Sequence, residues 1–264
     1  MSKQTSYEAK QPDASGFIHY TEEENLVWRD LVAQQQPKVD LFTAEPFLRG
    51  QRKLNLPRTH VPQCKVVSEV LIDLTGWRVE PVPALIGFSK FFEMLANRTF
   101  PAASFIRSRK DFDYIEEPDI FHEIYGHTPL LTDSRFADFS QKIGETGLAC
   151  DKADYSWLIR IYWFTIEFGL IREGQNTKAL GSGLASSPGE LKYSVEDPSV
   201  VRKPFDVIDI LRTPYRIDIN QPIYFVLDDV DQLLEASERD LMADIRRAQS
   251  LGLFAPTYPE KKYA

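Results

Sequence analysis

The chain is poor in several things that would otherwise define it. It has two cysteines in 264 residues, Cys64 and Cys150, neither in a C-x-x-C pair nor beside a histidine cluster. That excludes a disulfide framework and a cysteine-rich zinc site, and leaves two buried or half-buried thiols in a reducing cytosol; a bridge between the two stays open on sequence alone. Positive charge is in deficit, 31 Lys and Arg against 39 Asp and Glu, for a net charge of −8. Neither nucleic acid nor an anionic membrane is favoured as the main partner by such a balance. Long apolar runs are missing too. The longest, 161–171, is too short to span a bilayer and is interrupted by Glu167. The opening stretch MSKQTSYEAKQPDASG is polar and has no signal-peptide core. No internal repeat, low-complexity linker or break in composition divides the chain. A cytoplasmic protein is expected.

What is present suits one globular unit. The sequence is 43% hydrophobic and 12% aromatic, enough at this length to bury a large core without staples. Residues 1–16 are expected to form a mobile arm and 17–264 a single domain, mainly α-helical with few short strands.

The stretch YTEEENLVWRDLVAQQ starts a helix, with Thr21 and Glu24 as a capping box and Val27, Trp28, Leu31 and Val32 on one face. Pro37, Pro46, Pro57 and Pro62 then suggest extended chain over 36–62, with a short helix possible near 45–50. QCKVVSEVLIDLTG reads as a helix burying Val66, Val67, Val70, Leu71 and Leu74 and ending at Gly76. WRVEPVP reads as a strand. Ser89 is expected to cap a helix bearing Phe91, Phe92 and Leu95, and Asp133 another with Phe136, Phe139 and Ile143 inward. YSWLIRIYWFTIEFGLIRE reads as the longest strong helix and 174–190 as loop. YRIDINQPIYFVL alternates like two short strands, and DDVDQLLEASERDLMADIRRAQ like one closing amphipathic helix.

Chemistry concentrates in PDIFHEIYGH, which holds two of the four histidines. His122 and His127 are five apart, so a regular helix would point them about 140° away from each other. A widened turn of the π type would bring both imidazoles to one side, and the nearby Gly126 and Pro129 suit irregular backbone. The plain alternative is a helix start with two unrelated histidines. For a third ligand the sequence offers Glu167, embedded among Trp163, Phe164, Ile166, Phe168, Leu170 and Ile171. A carboxylate in such surroundings needs a partner, either a divalent cation or an arginine such as Arg160 or Arg172. Two histidines and one carboxylate match the facial triad of non-haem Fe(II) oxygenases, although zinc hydrolases also use that set. His19 and His60 are the only other histidines.

Four blocks carry a resemblance. EPDIFHEIYGHTPLLTDSRFADFSQ, IYWFTIEFGLIREG, GSGLASSPGELKYS and LRTPYRIDINQPIYFVL resemble, in content and order, the pterin-dependent aromatic amino acid hydroxylases, with bacterial phenylalanine-hydroxylating members the nearest likeness. The likeness runs from about Thr21 to about Leu234. It implies a single catalytic domain holding Fe(II) through His122, His127 and Glu167, with dioxygen and a tetrahydropterin such as tetrahydrobiopterin as co-substrates. It implies hydroxylation of L-phenylalanine to L-tyrosine by a monomer or small homo-oligomer. By position, Phe91 would stack on the pterin and Glu123 would be the acid beside it. Arg107 would clamp the substrate carboxylate, oriented by Asp119. Pro118, Trp163 and Phe168 would wall the ring pocket, with Gly183 and Ser186 on the amino-acid side. Ile115 and Pro101 replace the threonine and histidine of animal members and leave the pocket wall and fine specificity open. Each role has a plainer competitor: Phe91 as core, Arg107 as a solvated base beside Arg109 and Lys110, Gly183 and Ser186 as ordinary loop. Rival functions are a zinc hydrolase with Glu123 as general base, a non-catalytic helical binding module, and, within the family, tyrosine or tryptophan as substrate.

Overall fold

The computed structural model describes residues 7–83, 86–115 and 117–258. Helix α1 (Glu22–Phe42) carries the expected capping box and buries Val27, Trp28, Leu31 and Val32. It does not stop before Pro37, as the sequence suggested. Proline removes one hydrogen bond from a helix interior, and here the following turn is held from outside. Gln35 Nε2 donates to the carbonyls of Ala185 and Ser187 (2.8 and 3.2 Å), and Lys38 Nζ to that of Pro188 (2.8 Å). Helix α2 (Glu45–Leu54) follows, so most of 36–54 is helical rather than extended.

Helix α3 (Cys64–Thr75) ends at Gly76 as expected, but its inward face is rotated. Val66 and Leu74 are exposed, while Cys64, Val67, Ser68 and Leu71 are buried. The cause is polar. Ser68 Oγ donates to the Cys64 carbonyl (2.7 Å) and accepts from the Val79 N–H (2.8 Å), tying α3 to strand β1 (Arg78–Val82). Helix α4 (Phe88–Ala96) starts from Gly87, not from a Ser89 cap; the Ser89 hydroxyl lies 3.3 Å from that of Tyr155. Strand β2 (Thr99–Ala103) runs parallel to β1 in the register Arg78↔Thr99.

A π-type turn, Phe121–His127, leads into the short α5 (Thr128–Leu131) and then α6 (Ser134–Ala149), capped by Asp133. Helices α4 and α6 pack closely because α6 has Gly147 at the contact; a Cβ there would stand 2.2 Å from the Phe92 ring. Phe92 and Leu95 are fully buried, each worth about 1.5–3 kcal/mol in apolar burial, while Phe91 on the same helix is left half-buried and turned to the site.

The long helix expected over 155–173 is shorter. Helix α7 (Tyr155–Tyr162) widens into a second π-type turn, Trp163–Glu167, and gives way to strand β3 (Leu170–Glu173). An all-apolar run does not distinguish buried helix from buried strand. The sheet decides it: Leu170 pairs with Val226, and Ile171 with Leu227, in parallel register. The stretch 174–190 is not loop throughout. It holds β4 (Asn176–Ala179), hairpinned onto β3, and the short helix α8 (Ser182–Ser186). After α9 (Glu190–Glu196), β5 (Val201–Pro204) and α10 (Val207–Arg212), only Ile223–Leu227 of YRIDINQPIYFVL forms a strand, β6. The sheet order is β4-β3-β6-β5, antiparallel only at β3/β4. The closing helix is two, α11 (Asp231–Glu238) and α12 (Leu241–Leu251), because Asp240 leaves helical geometry and caps α12 through the Ala243 N–H (2.9 Å).

One continuous apolar core joins these elements, and the class is mainly α with few short strands. Both cysteines are free thiols, Cys64 buried and Cys150 half-buried. Among the described residues no helix is long and apolar enough to cross a membrane. Of the arm expected at 1–16, residues 1–6 lie outside the described residues, and the rest lies along the body from Phe105 to the start of α1.

Candidate metal centre

The two π-type turns do the same geometric work. Each widens the helix so that residues five apart share one side. His122 and His127 converge from the first turn, and Tyr162 and Glu167 from the second, all four on the wall of one cavity of about 170 Å³. The expectation of an i, i+5 geometry around the histidines therefore holds. Its repetition around Glu167 went unread, although Tyr162 stands five before Glu167 in sequence.

Three side chains converge here through four donor atoms, two imidazole nitrogens and both oxygens of one carboxylate. His122 Nε2 and His127 Nε2 are 3.0 Å apart, His127 Nε2 and Glu167 Oε1 3.1 Å, and His122 Nε2 and Glu167 Oε2 3.8 Å. Donors bound at about 2.1 Å on one face of an octahedron stand about 3.0 Å apart, so the two edges at His127 match that spacing and the His122–Glu167 edge is wider. Glu123 also reaches within 4.8 Å of the histidine nitrogens. The two carboxyls are told apart by charge. Burial opposes ionisation of Glu167, but the His127 and His122 imidazoles and the Gly183 N–H outweigh it and hold its pKa below the ordinary value. Burial, with the Glu167 and Asp119 charges, pushes Glu123 well above it. Of the two, Glu167 is thus the readier to offer a negative charge to an ion, and protonation is favoured at Glu123. Arginine is not the partner of Glu167: Arg160 lies over the Trp157 ring and Arg172 pairs with Asp228.

The imidazoles are set up to coordinate. Ser186 Oγ lies 2.8 Å from His122 Nδ1 and donates its own hydrogen to the Ser182 carbonyl at 2.9 Å. The hydroxyl must then accept from Nδ1–H, which leaves Nε2 with a free lone pair toward the site. Burial brings the His122 pKa down to about 4, so the ring is neutral, as a ligand must be. His127 is packed by the Phe100 ring (4.6 Å) and faces the Tyr162 hydroxyl at 3.5 Å. Gly183 has a steric role: a Cβ there would stand 3.0 Å from Glu167 Oε2 and 2.9 Å from the Phe168 ring.

Replacing Ser186 by alanine should leave His122 in place but free to turn. Fe(II) affinity is expected to fall about 10- to 100-fold, the usual cost of losing a hydrogen bond to a ligating histidine. Fe(II) titration followed by melting shift measures it, and an unchanged dissociation constant would refute the tie.

The cavity brings together Phe91, Pro118, His122, Glu123, His127 and Glu167, with Pro101, Phe100 and Tyr162. Phe91 is thus a wall residue rather than core, with Tyr162 edge-on to it at 5.3 Å. Arg107, Asp119, Trp163, Phe168, Gly183 and Ser186 do not line that cavity. Arg107 and Asp119 form a buried bidentate pair, Nε to Oδ2 at 2.8 Å and Nη2 to Oδ1 at 2.9 Å. Asp119 is desolvated, but Arg107 holds its pKa down; burial of Arg107 is likewise outweighed by Asp119, and its pKa rises. Arg107 is therefore not one more solvated base. Trp163 is sandwiched between Phe168 (4.4 Å) and Tyr215 (4.5 Å). Ser186 serves His122 directly, a contact its place in a Gly- and Ser-rich stretch did not signal. His19 and His60 are exposed and bonded to Asp13 and Thr59, away from this cluster. Tyr162 is indistinguishable from core because it sits in an apolar run, while Phe100 and Tyr215 stand beside polar residues and carry no signal of their own.

Comparison with known proteins agrees with this geometry. A family model described as biopterin-dependent aromatic amino acid hydroxylase matches residues 1–254. The phenylalanine-4-hydroxylase of Pseudomonas aeruginosa is 46% identical, over 99% of this chain and 100% of its own. That of Vibrio cholerae is 46% identical over 98% and 89%. Among solved structures, the apo cold-active phenylalanine hydroxylase of Colwellia psychrerythraea superposes with a TM-score of 0.93 at 47% identity, covering 95% of this chain and 97% of that one. The Chromobacterium violaceum phenylalanine hydroxylase with bound oxidized Fe(III) gives 0.86 at 34% identity, over 92% and 91%.

Proposed function

The chain belongs to the biopterin-dependent aromatic amino acid hydroxylases, and on that footing we propose that it is a phenylalanine 4-hydroxylase, converting L-phenylalanine to L-tyrosine with dioxygen and a tetrahydropterin. The observation that carries the reading is the convergence of His122, His127 and Glu167 donors on the wall of a cavity that also holds Phe91 and Glu123. The donor set fits a ferrous ion: two imidazoles and one carboxylate on one face leave the other face open. When bound, Fe(II) and the tetrahydropterin together supply the oxygen activation and the two electrons that ring hydroxylation needs.

The residues divide the remaining work. Phe91 offers a ring face for pterin stacking, and Glu123 a carboxyl beside it. Arg107 clamps the substrate carboxylate. In support, Asp119 occupies its Nε and one Nη2 hydrogen and leaves Nη1 with only a 3.5 Å contact to the Phe112 carbonyl. Trp163, Phe168 and Pro118 wall the substrate ring. Gly183 and Ser186 line the amino-acid side while keeping Glu167 and His122 in place. Residues 17–264 act as one catalytic domain, in the cytoplasm, where free thiols persist, as a monomer or small homo-oligomer that sedimentation would size.

Product analysis with phenylalanine, tyrosine and tryptophan, each with tetrahydropterin and either Fe(II) or Zn(II), tests the assignment. Tyrosine from phenylalanine, with Fe(II) and pterin both required, is the expected result. Turnover with Zn(II) and no pterin would support the hydrolase, and preferred hydroxylation of another ring would move the chain within its family.

A further inference from the structure

The segment before α1 is fastened at both ends to one loop, the loop that carries Arg107. At its near end, the Tyr20 hydroxyl donates to the Ser104 carbonyl at 3.0 Å. At its far end, the Tyr7 ring stacks on Phe105 with centroids 4.7 Å apart and planes 14° from parallel. The Tyr7 hydroxyl accepts from the Ser108 N–H at 3.2 Å and donates to the Asp111 carboxylate. Between the two tyrosines the segment is itself held. Asp13 Oδ1 closes a turn by accepting from the N–H groups of Ser15 (2.8 Å) and Phe17 (3.1 Å). Lys10 pairs with Glu24 at 2.9 Å, and the Ile18 N–H and carbonyl both bond the Gln63 side-chain amide (2.8 and 3.1 Å). The first half of the loop, Ser104–Arg107, is buried, and its second half is not. Beyond β2 it has one turn of 3-10 helix, Arg109–Asp111, with no buried residue. On its inner side Asp119 holds Arg107, and the Ile120 N–H bonds the Phe105 carbonyl at 2.8 Å. Beyond these, the loop is tied by Tyr20 at Ser104, by Tyr7, and by the Arg109–Asp30 pair at 2.6 Å.

We propose that Tyr7 is a positioning residue for substrate binding: the segment 7–20 is a strap that holds loop 104–111 against the body and so presents the Arg107 guanidinium to the amino-acid carboxylate. The proposal rests on the reading of Arg107 as the carboxylate clamp. The strap's ties to Glu24, Gln63 and the loop involve no residue that lines the cavity holding Phe91 and His122, so its effect is expected on amino-acid binding and not on pterin or iron. Its two components are separable. Ring stacking survives in Tyr7→Phe, and the hydroxyl contacts are lost; both go in Tyr7→Ala.

The test uses the full chain loaded with Fe(II), with Tyr7→Ala, Tyr7→Phe and Arg107→Lys beside the wild type. Steady-state kinetics in phenylalanine and in pterin are combined with hydrogen exchange over residues 105–112. In Tyr7→Ala the KM for phenylalanine is expected to rise roughly three- to tenfold, a part of what the stacked pair and the two hydroxyl contacts are worth, because Tyr7 acts through the loop. The pterin KM and Fe(II) affinity should stay within about twofold, since the machinery they report is untouched. Amide exchange in the loop should quicken, and Tyr7→Phe should fall between. Unchanged exchange in Tyr7→Ala overturns the strap, whatever Arg107→Lys does. Faster exchange with an unchanged phenylalanine KM, while Arg107→Lys raises that KM, also overturns it. An unchanged phenylalanine KM in Arg107→Lys overturns instead the clamp on which the proposal stands.

Discussion

Glu167→Gln should abolish hydroxylation while leaving a folded protein. The amide fills the same volume and can still bond His127 Nε2, which lies 3.1 Å from the native Oε1, so the metal-free variant should melt within a few degrees of metal-free wild type. What it loses is the one negative charge in the donor set. Fe(II) at about 100 times its dissociation constant stabilises the wild type by about 2.7 kcal/mol, a rise of roughly 5–10 °C in Tm for a chain of this size. The variant should show almost none of that rise at the same Fe(II) concentration. Scanning calorimetry with and without Fe(II), plus iron content per folded chain, measures both halves. Equal Fe(II)-induced shifts in the two proteins would remove Glu167 from the ligand set and turn attention to Glu123, whose carboxyl is also close to the histidines.

Asp119→Ala should produce the largest loss of stability of any single change near the site. Asp119 is fully buried and Arg107 nearly so, at 4% exposure. Removing the acid leaves a guanidinium without its counter-charge inside the protein, a cost of about 3–5 kcal/mol. It also frees the fork that Asp119 holds by Nε, Nη2 and the Arg107 backbone N–H (2.8, 2.9 and 3.0 Å). The KM for phenylalanine should therefore rise in whatever fraction stays folded. Arg107→Lys separates the two effects, because it keeps the charge for Asp119 and loses only the planar fork. It should raise the phenylalanine KM about ten- to a hundredfold, the worth of one charged hydrogen-bond pair, with little change in urea midpoint. If Asp119→Ala unfolds at the wild-type urea concentration, the pair contributes no net stability. If Arg107→Lys binds phenylalanine normally, the carboxylate is held elsewhere.

Local rules carried the sequence reading wherever one signal stood alone. The Thr21–Glu24 capping box, the Asp133 cap and the Gly76 stop are short-range chemistry, and each is found as expected. The five-residue spacing of His122 and His127 was enough to demand a widened turn, since no regular helix aims both rings at one ion. The isolated carboxylate of Glu167 in an apolar run demanded a partner, because burial of a lone charge is too costly to leave uncompensated.

Tertiary structure decided everything that depended on a distant partner. Whether 168–173 is helix or strand turns on β6, some fifty residues away, which pairs with Leu170 and Ile171. Whether α1 survives Pro37 turns on Gln35 and Lys38 finding the carbonyls of 185–188. Which face of α3 points inward turns on Ser68 binding Val79, a polar contact that no hydrophobic stripe announces. The site divides along the same line. The histidine pair was legible from its spacing, while Glu167 by itself read equally as an arginine's partner and became a ligand candidate through the resemblance of the surrounding blocks. That Ser186 orients His122, that Gly183 makes room for Glu167 and that Tyr162 joins the wall were not legible, because serine, glycine and tyrosine have many structural uses. Only the folded chain sets them within 3–4 Å of the ligands they serve.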